Sequence, residues 1–224
     1  EGKQLLRFVV RGDSPGTISS GGKVLHWSRE LPPGASHEVF FAVPAITLTD
    51  DGQIDALAKR DFEADARRIC DSWRRLVGRS AQLETPEPWL NDFYKAHLLH
   101  MLVNCWREPD SDRLFPHVGT FRYGVYANEA TMMVSDFDRR GCHDLARRCL
   151  DSWLQYQGTV ALPGNFRSKD GVFYGTNGHE SGGYNMHHGY VLWNIAEHWN
   201  FTRDREWMQR AAPGLIKGCD WVTS

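Results

Sequence analysis

Two glutamates, Glu129 and Glu180, stand where a side chain can do proton chemistry on a bound ligand. Glu129 falls in the first turn of a helix that follows the aromatic run Tyr123-Gly124-Val125-Tyr126-Ala127-Asn128. Glu180 lies in Gly178-His179-Glu180-Ser181-Gly182-Gly183, where glycines let a ligand come close to the main chain. The rings of Tyr123, Tyr126 and Tyr184 offer an apolar face and a polar edge. Asn128, Asn165, His179, Asn185, His187 and His188 supply groups that trade hydrogen bonds with hydroxyls. We therefore expect one site, with Glu180 and Glu129 as catalytic candidates and the other residues as ligand contacts. For Glu129, ligand contact weighs more than proton transfer.

Each of these residues also has a plain structural reading. A carboxylate in a first helical turn favours the helix dipole whatever else it does. Glu180 reads equally as a solvated loop acid. His97, His100 and His198 lie on helices and read as core or wall residues, as do Trp89, Trp153, Trp193 and Trp199. Adjacent histidines such as His187 and His188 face different ways, and His179 joins them only if its loop folds back. With no carboxylate in a ligand pattern, no metal and no cofactor are expected.

The elements that must position these residues follow from the patterning. A net charge of -2 and a pI near 6.6 give no general attraction to nucleic acid or anionic membrane. No apolar run approaches the ~20 residues of a membrane span. The five cysteines form no close metal-type pair and sit mostly on apolar helix faces, which fits a reducing, cytoplasmic compartment; the sequence leaves the location open, and Glu1 suggests a trimmed start. Residues 1 to 54 read as short strands (Leu5–Val10, Val24–Trp27, Glu38–Val43) between Gly/Pro clusters, the C-terminal part of a β-sandwich. Residues 55 to 87 read as a linker helix and connector. Phe62, Ala66, Ile69, Trp73 and Leu76 make its stripe, and Gly78 its end.

From residue 88 to 224 the period is helical. One helix carries two apolar lines, Trp89-Phe93-Ala96-His100-Val103 and Leu90-Tyr94-His97-Met101, and is expected to be buried on several sides. The next two are joined at Gly141 by a connector of about two residues and must lie antiparallel. Residues 158 to 185 form a long glycine- and aromatic-rich loop. A helix from His187 follows, with Leu192, Ile195, Ala196 and Trp199 expected inward. A last one, capped by Thr202 and kinked at Pro213, ends the chain.

Three stretches in this order resemble the six-hairpin glycosidases, the (α/α)6-barrel group of glucoamylases, trehalases, debranching-type enzymes and α-L-rhamnosidases. They are Tyr123 to Ala130; Gly141 to Gln157, with its xxxLARRxLxxxLxxQ; and His187-His188-Gly189-Tyr190 through Glu197-His198-Trp199 to Thr202-Arg203-Asp204-Arg205-Glu206-Trp207. Asn128-Glu129 stands where many relatives carry Arg-Asp against the sugar. The resemblance implies a mainly α fold, a partial (α/α)6 toroid of about five barrel helices, since twelve need roughly 250 residues. It would be preceded by the last strands of a β-sandwich and a linker helix. It also implies a glycoside hydrolase of oligo- or polysaccharides or glycoconjugates. Two carboxyl groups would act, inverting favoured, with part of the pair beyond residue 224. The expected partner is a carbohydrate substrate, not nucleic acid or a membrane.

Two other readings compete. A polysaccharide lyase of the toroid type would use Asn185, His188 and Tyr184 as neutraliser, base and acid. A non-catalytic helical scaffold would bind a glycan or protein, but internal repeats, its usual mark, are missing.

Overall fold

The computed structural model describes residues 9–11, 17–21, 24–44, 48, 50–119 and 123–223. The chain divides into two compact units, with the division between Ser72 and Trp73.

In the first unit, β1 (Val9–Arg11) pairs antiparallel with β4 (Phe40–Ala42), Val10 opposite Phe41. The strands β2 (Thr17–Gly21) and β3 (Val24–Ser28) form a separate hairpin with Thr17 opposite Ser28. These are two-stranded ribbons, and no sandwich is assembled among the described residues. Leu5 to Phe8, expected as strand, lie outside them. The single linker helix expected from residue 55 is two helices, α1 (Asp51–Ala58) and α2 (Phe62–Arg79). The break has a local cause. Asp50 caps α1 by accepting from Gln53 N at 3.0 Å, while Asp61 accepts from Ala64 N at 2.6 Å and starts α2 afresh. The α2 stripe is mostly bare: Phe62 and Ile69 are exposed and only Leu76 is buried.

The second unit takes in the last turns of α2 and then α3 (Pro88–Asn104), with Pro88 in the first turn where its missing N–H costs nothing. A hairpin the helical period did not announce follows, β5 (Cys105–Arg107) against β6 (Leu114–Pro116), with Trp106 opposite Phe115. Then come α4 (Ala127–Arg139), α5 (His143–Gln155), α6 (His187–Thr202) and α7 (Arg205–Thr223). The α4–α5 turn is tight because Gly141 takes φ +74°, Cys142 N donates to Phe137 O at 2.8 Å and Gly141 N to Asp138 O at 2.9 Å. That pair of bonds satisfies the last carbonyls of α4. Asp204, not Thr202, caps α7 through Trp207 N at 2.9 Å, and α7 runs through Pro213 as one helix.

Packing links α4 to both α5 and α6, α5 to α6 and β6, and α6 to α7. Val134, Phe137, Leu150, Trp153, Ile195 and Trp207 fill the space between them. Two expectations about faces are corrected. On α3 only Leu98 and Met101 are buried, while Trp89, Phe93 and Val103 are exposed. On α6 the inward face is largely polar: His187, His188, Val191, Asn194, Ile195 and His198 are buried and Ala196 is exposed. Polar groups are tolerated there because α4 answers them. His198 Nδ1 donates to Asp138 at 2.8 Å and Asn194 Nδ2 to Ser135 Oγ at 3.1 Å, and Ser135 Oγ donates to Glu197. Asp138 has no exposed side-chain surface and accepts a second bond, from His143 Nδ1 at 2.8 Å.

Candidate functional site

The long loop and the segment leading into α4 are stitched together by their main chains. Val125 N donates to His179 O at 2.7 Å, Ser181 N donates to Val125 O at 3.1 Å, and Val125 and Glu180 form a parallel bridge. The contact demands glycine at two places. A Cβ on Gly124 would lie 2.6 Å from His179 O, and one on Gly182 would lie 2.7 Å from the Tyr126 ring. Gly182 also takes φ +81°. This stitching brings Tyr123, Tyr126, Asn128, His179, Glu180, Tyr184 and His187 to one rim of the second unit.

Around Tyr126 the rim is aromatic. Tyr123 stacks on Tyr126 at 5.4 Å between ring centres and is half exposed. The buried His187 is stacked by Tyr174 and met edge-on by Tyr184, each at 5.8 Å. His187 Nε2 donates to Asn128 Oδ1 at 3.2 Å, which leaves its Nδ1 lone pair buried with no partner. Burial holds its pKa below the ordinary imidazole value. Tyr174 OH donates to Gly182 O at 2.8 Å, and its own pKa is raised, by burial and then by the charge of Glu180.

Glu180 is half-buried, and one of its oxygens, Oε2, is engaged by its own loop. It accepts from Thr176 N at 2.9 Å, Thr176 Oγ1 at 3.2 Å and Gly178 N at 3.0 Å. The turn that allows this puts Asn177 and Gly178 at φ +57° and +84°. Glu129 is exposed in the first turn of α4.

On the other side stands the β5–β6 hairpin, which adds residues the sequence did not single out. His117, just after β6, shares a hydrogen bond between its Nε2 and His179 Nδ1 at 2.9 Å. Trp106 stacks on His117 at 5.0 Å and is half exposed; Phe115 stacks on His179 at 4.5 Å. Burial lowers the pKa of both histidines; for His179 the charges of Glu180 and Glu108 pull in the opposite direction. Glu108 is buried at the hairpin turn and accepts from Ser111 Oγ at 2.8 Å, Arg113 Nε at 2.5 Å and Tyr156 OH. Burial pushes its carboxyl up, but these donors outweigh it and the pKa ends below the usual value. No periodic signal marks this hairpin, because strands of three residues are too short to show alternation. The turn-rich Glu108-Pro109-Asp110-Ser111-Asp112 was the one available cue.

Two expected contacts, His188 and Asn165, are occupied or placed elsewhere. His188 turns away from His187: its Nδ1 accepts from Phe173 N at 2.9 Å and its Nε2 donates to Gly218 O at 3.0 Å. Both nitrogens are thus used in tying the loop to α7. Asn165 is exposed in a segment tied to the end of α7, where Phe166 meets Trp221 at 5.1 Å and Trp221 Nε1 donates to Ser168 O at 2.7 Å. Asn185 is exposed just ahead of α6. Among the described residues no group of three or more His, Cys, Asp or Glu could hold a metal ion. Among the described residues no helix is long and apolar enough to cross a membrane.

The assembled rim can do two things. It exposes ring surface at Trp106, Tyr123 and Tyr184, and it offers the half-buried His179 and Glu180 to a hydrogen-bonding partner. That combination suits a ligand with apolar ring faces and hydroxyl edges. No family model, curated protein or solved structure matches this chain.

Proposed function

We infer that the chain is the sugar-binding part of a glycoside hydrolase, with the rim of the second unit as its cleft. The observation that carries this reading is the main-chain stitching of Val125 to His179–Ser181, which gathers aromatic faces and hydroxyl-seeking side chains from two distant stretches of sequence. The packing supports it as well. α4 lies against α6, its second neighbour in sequence, as well as against α5. Alternate helices packed side by side are what a two-layered (α/α)6 toroid requires, and a partial toroid is the architecture we propose.

In this scheme Tyr123, Tyr126 and Tyr184 hold the sugar ring by its apolar face, with Asn128 and His179 on its hydroxyls. Glu129, exposed at the helix N-terminus, contacts sugar. Glu180, whose Oε1 remains outside the loop's three hydrogen bonds, is the carboxylate nearest to chemistry. The trio that would serve β-elimination is not on offer, since both nitrogens of His188 are bound to main chain.

The test is a panel of neutral oligosaccharides and polysaccharides incubated with the protein. New reducing ends without ultraviolet-absorbing unsaturated products are expected, and replacing Tyr123 by Ala should weaken saccharide affinity. Unsaturated products would replace hydrolase by lyase. An unchanged affinity in Tyr123→Ala would remove the rim as the binding surface.

A further inference from the structure

Arg147 and Arg148 stand on α5 beside the buried Ala146, Cys149 and Leu150, and the rim makes no use of them. They line a cavity of about 550 Å³ between α5, the first turns of α7 and the β5–β6 turn. Arg113 joins them from the turn and Arg210 from α7, against two acids, Asp112 and Asp151. Four arginines from three elements thus share one hollow.

Neither acid neutralises the pair on α5. Asp151 follows Arg147 at the spacing of a helical ion pair, yet its Oδ1 accepts from Trp207 Nε1 at 2.8 Å. The Asp112 carboxylate lies 3.7 Å from Arg107, and Asp144, one turn earlier on α5, pairs with Arg79 at 3.6 Å. Arg147 is half-buried and makes no hydrogen bond or ion pair among the described residues. Arg148 meets no acid there either: its Nε donates to the main-chain oxygen of Asp112 at 2.5 Å. Arg113 is anchored through the same atom, Nε to Glu108 Oε2 at 2.5 Å. Anchoring at Nε fixes both planar forks, while their Nη groups make no hydrogen bond among the described residues. Arg210 is the one with an acid on its Nη1, Glu206 Oε1 at 3.0 Å. Like charges gathered in a hollow repel one another until an anion enters, and walls of low dielectric strengthen that pull.

We propose that this hollow binds the phosphate group of a small phosphate monoester, held by Arg147, Arg148 and the Nη groups of Arg113. Guanidinium forks match phosphate oxygens in pairs. Two cations without an acid call for a doubly charged head. A phosphate monoester brings about −1.5 to −2 charge and three acceptor oxygens at neutral pH, whereas a carboxylate or sulfate ester brings a single charge. The volume exceeds what a bare phosphate fills and falls in the range of roughly 300–1,000 Å³ usual for small-molecule sites. The half-buried Leu154 gives the body of such a ligand an apolar wall. The site draws nothing from the rim and goes beyond the carbohydrate reading.

The experiment is calorimetric titration with phenyl phosphate, phenyl sulfate and inorganic phosphate at about pH 8, above the second phosphate ionisation near pH 6. Phenyl phosphate and phenyl sulfate share a ring and three free oxygens and differ in charge. Phenyl phosphate is expected to bind once per chain, about tenfold or more tighter than phenyl sulfate, and tighter than inorganic phosphate. Arg147→Gln and Arg148→Gln are each expected to weaken it at least about tenfold, the loss of a charge-assisted contact. Arg167→Gln, which removes the same charge from the exposed loop, is expected to leave it unchanged. Absence of saturable binding overturns the proposal, as does equal affinity for the sulfate or for inorganic phosphate. Binding that survives in both α5 variants, or falls equally in Arg167→Gln, overturns it too. The three ligands compared on the parent decide even if a variant does not fold. None of these titrations involves the release of reducing ends, so the hydrolase reading fails or holds separately.

Discussion

Glu180 and Glu129 carry the same carboxylate in opposite circumstances, and the difference sets what each substitution does. Glu180 Oε2 closes its loop through Thr176 N, Thr176 Oγ1 and Gly178 N. Replacing Glu180 by Ala leaves the buried Thr176 N–H without its acceptor, at a cost of about 1–3 kcal/mol that urea unfolding will register. Glu129 is exposed at a helix start. Glu129→Gln is expected to stay within about 0.5 kcal/mol of the parent in stability while lowering turnover on any saccharide the protein cleaves. A variant equal to the parent in both measures has no part in the site. Residue type and glycine context made Glu180 visible in the sequence. Its tie to Thr176 was not visible, because it depends on the left-handed backbone of Asn177 and Gly178. His117 was hidden for another reason: it stands alone after a three-residue strand, and its partner is far along the chain.

Elements of full helical length were legible because their apolar period repeats over several turns. On α4 and α5 the apolar period coincides with burial: Ala130, Val134 and Phe137 are buried on the first, Leu145, Cys149 and Trp153 on the second. The face of α6 was misjudged by a hydrophobic rule because its buried side is lined with Asn194 and His198, which become acceptable only when Ser135 and Asp138 arrive from α4. That pairing is a cross-helix staple. Asp138 is fully enclosed and holds the buried His198 and the half-exposed His143 at 2.8 Å each. Asp138→Ala removes the acceptor of a buried ring and is expected to cost about 3–5 kcal/mol in urea unfolding. By contrast, breaking the exposed Arg79–Asp144 pair, at 3.6 Å, should cost at most about 1 kcal/mol. Equal costs for the two would mean that Asp138 does not join α4 to α6.

At the scale of the whole molecule, a net charge of -2 offers no general attraction to nucleic acid, and it says nothing about how the second unit buries its histidines. His117, His179, His187 and His188 each have a pKa lowered from 6.5, burial being the largest cause in every case. The folded chain therefore keeps them neutral at a pH where the unfolded chain has begun to take up protons. Stability is full above the unfolded imidazole pKa of about 6.5 and falls as the pH drops below it, until the folded rings themselves protonate. Glu108 adds to the loss at lower pH, since its folded pKa is below the unfolded one and its stabilisation disappears as the carboxyl is protonated. Tyr156 and Tyr174, both raised, act at the alkaline end: their unfolded forms ionise first above about pH 10, and stability falls there too. Urea midpoints measured between about pH 8 and pH 5 should decline steadily through the imidazole range, with net proton uptake on unfolding. His188→Gln should flatten part of that slope, because its Gln side chain has no proton to gain. A midpoint that is level across the range would mean that the folded rings take up protons as readily as the unfolded ones, and that burial does not hold them neutral.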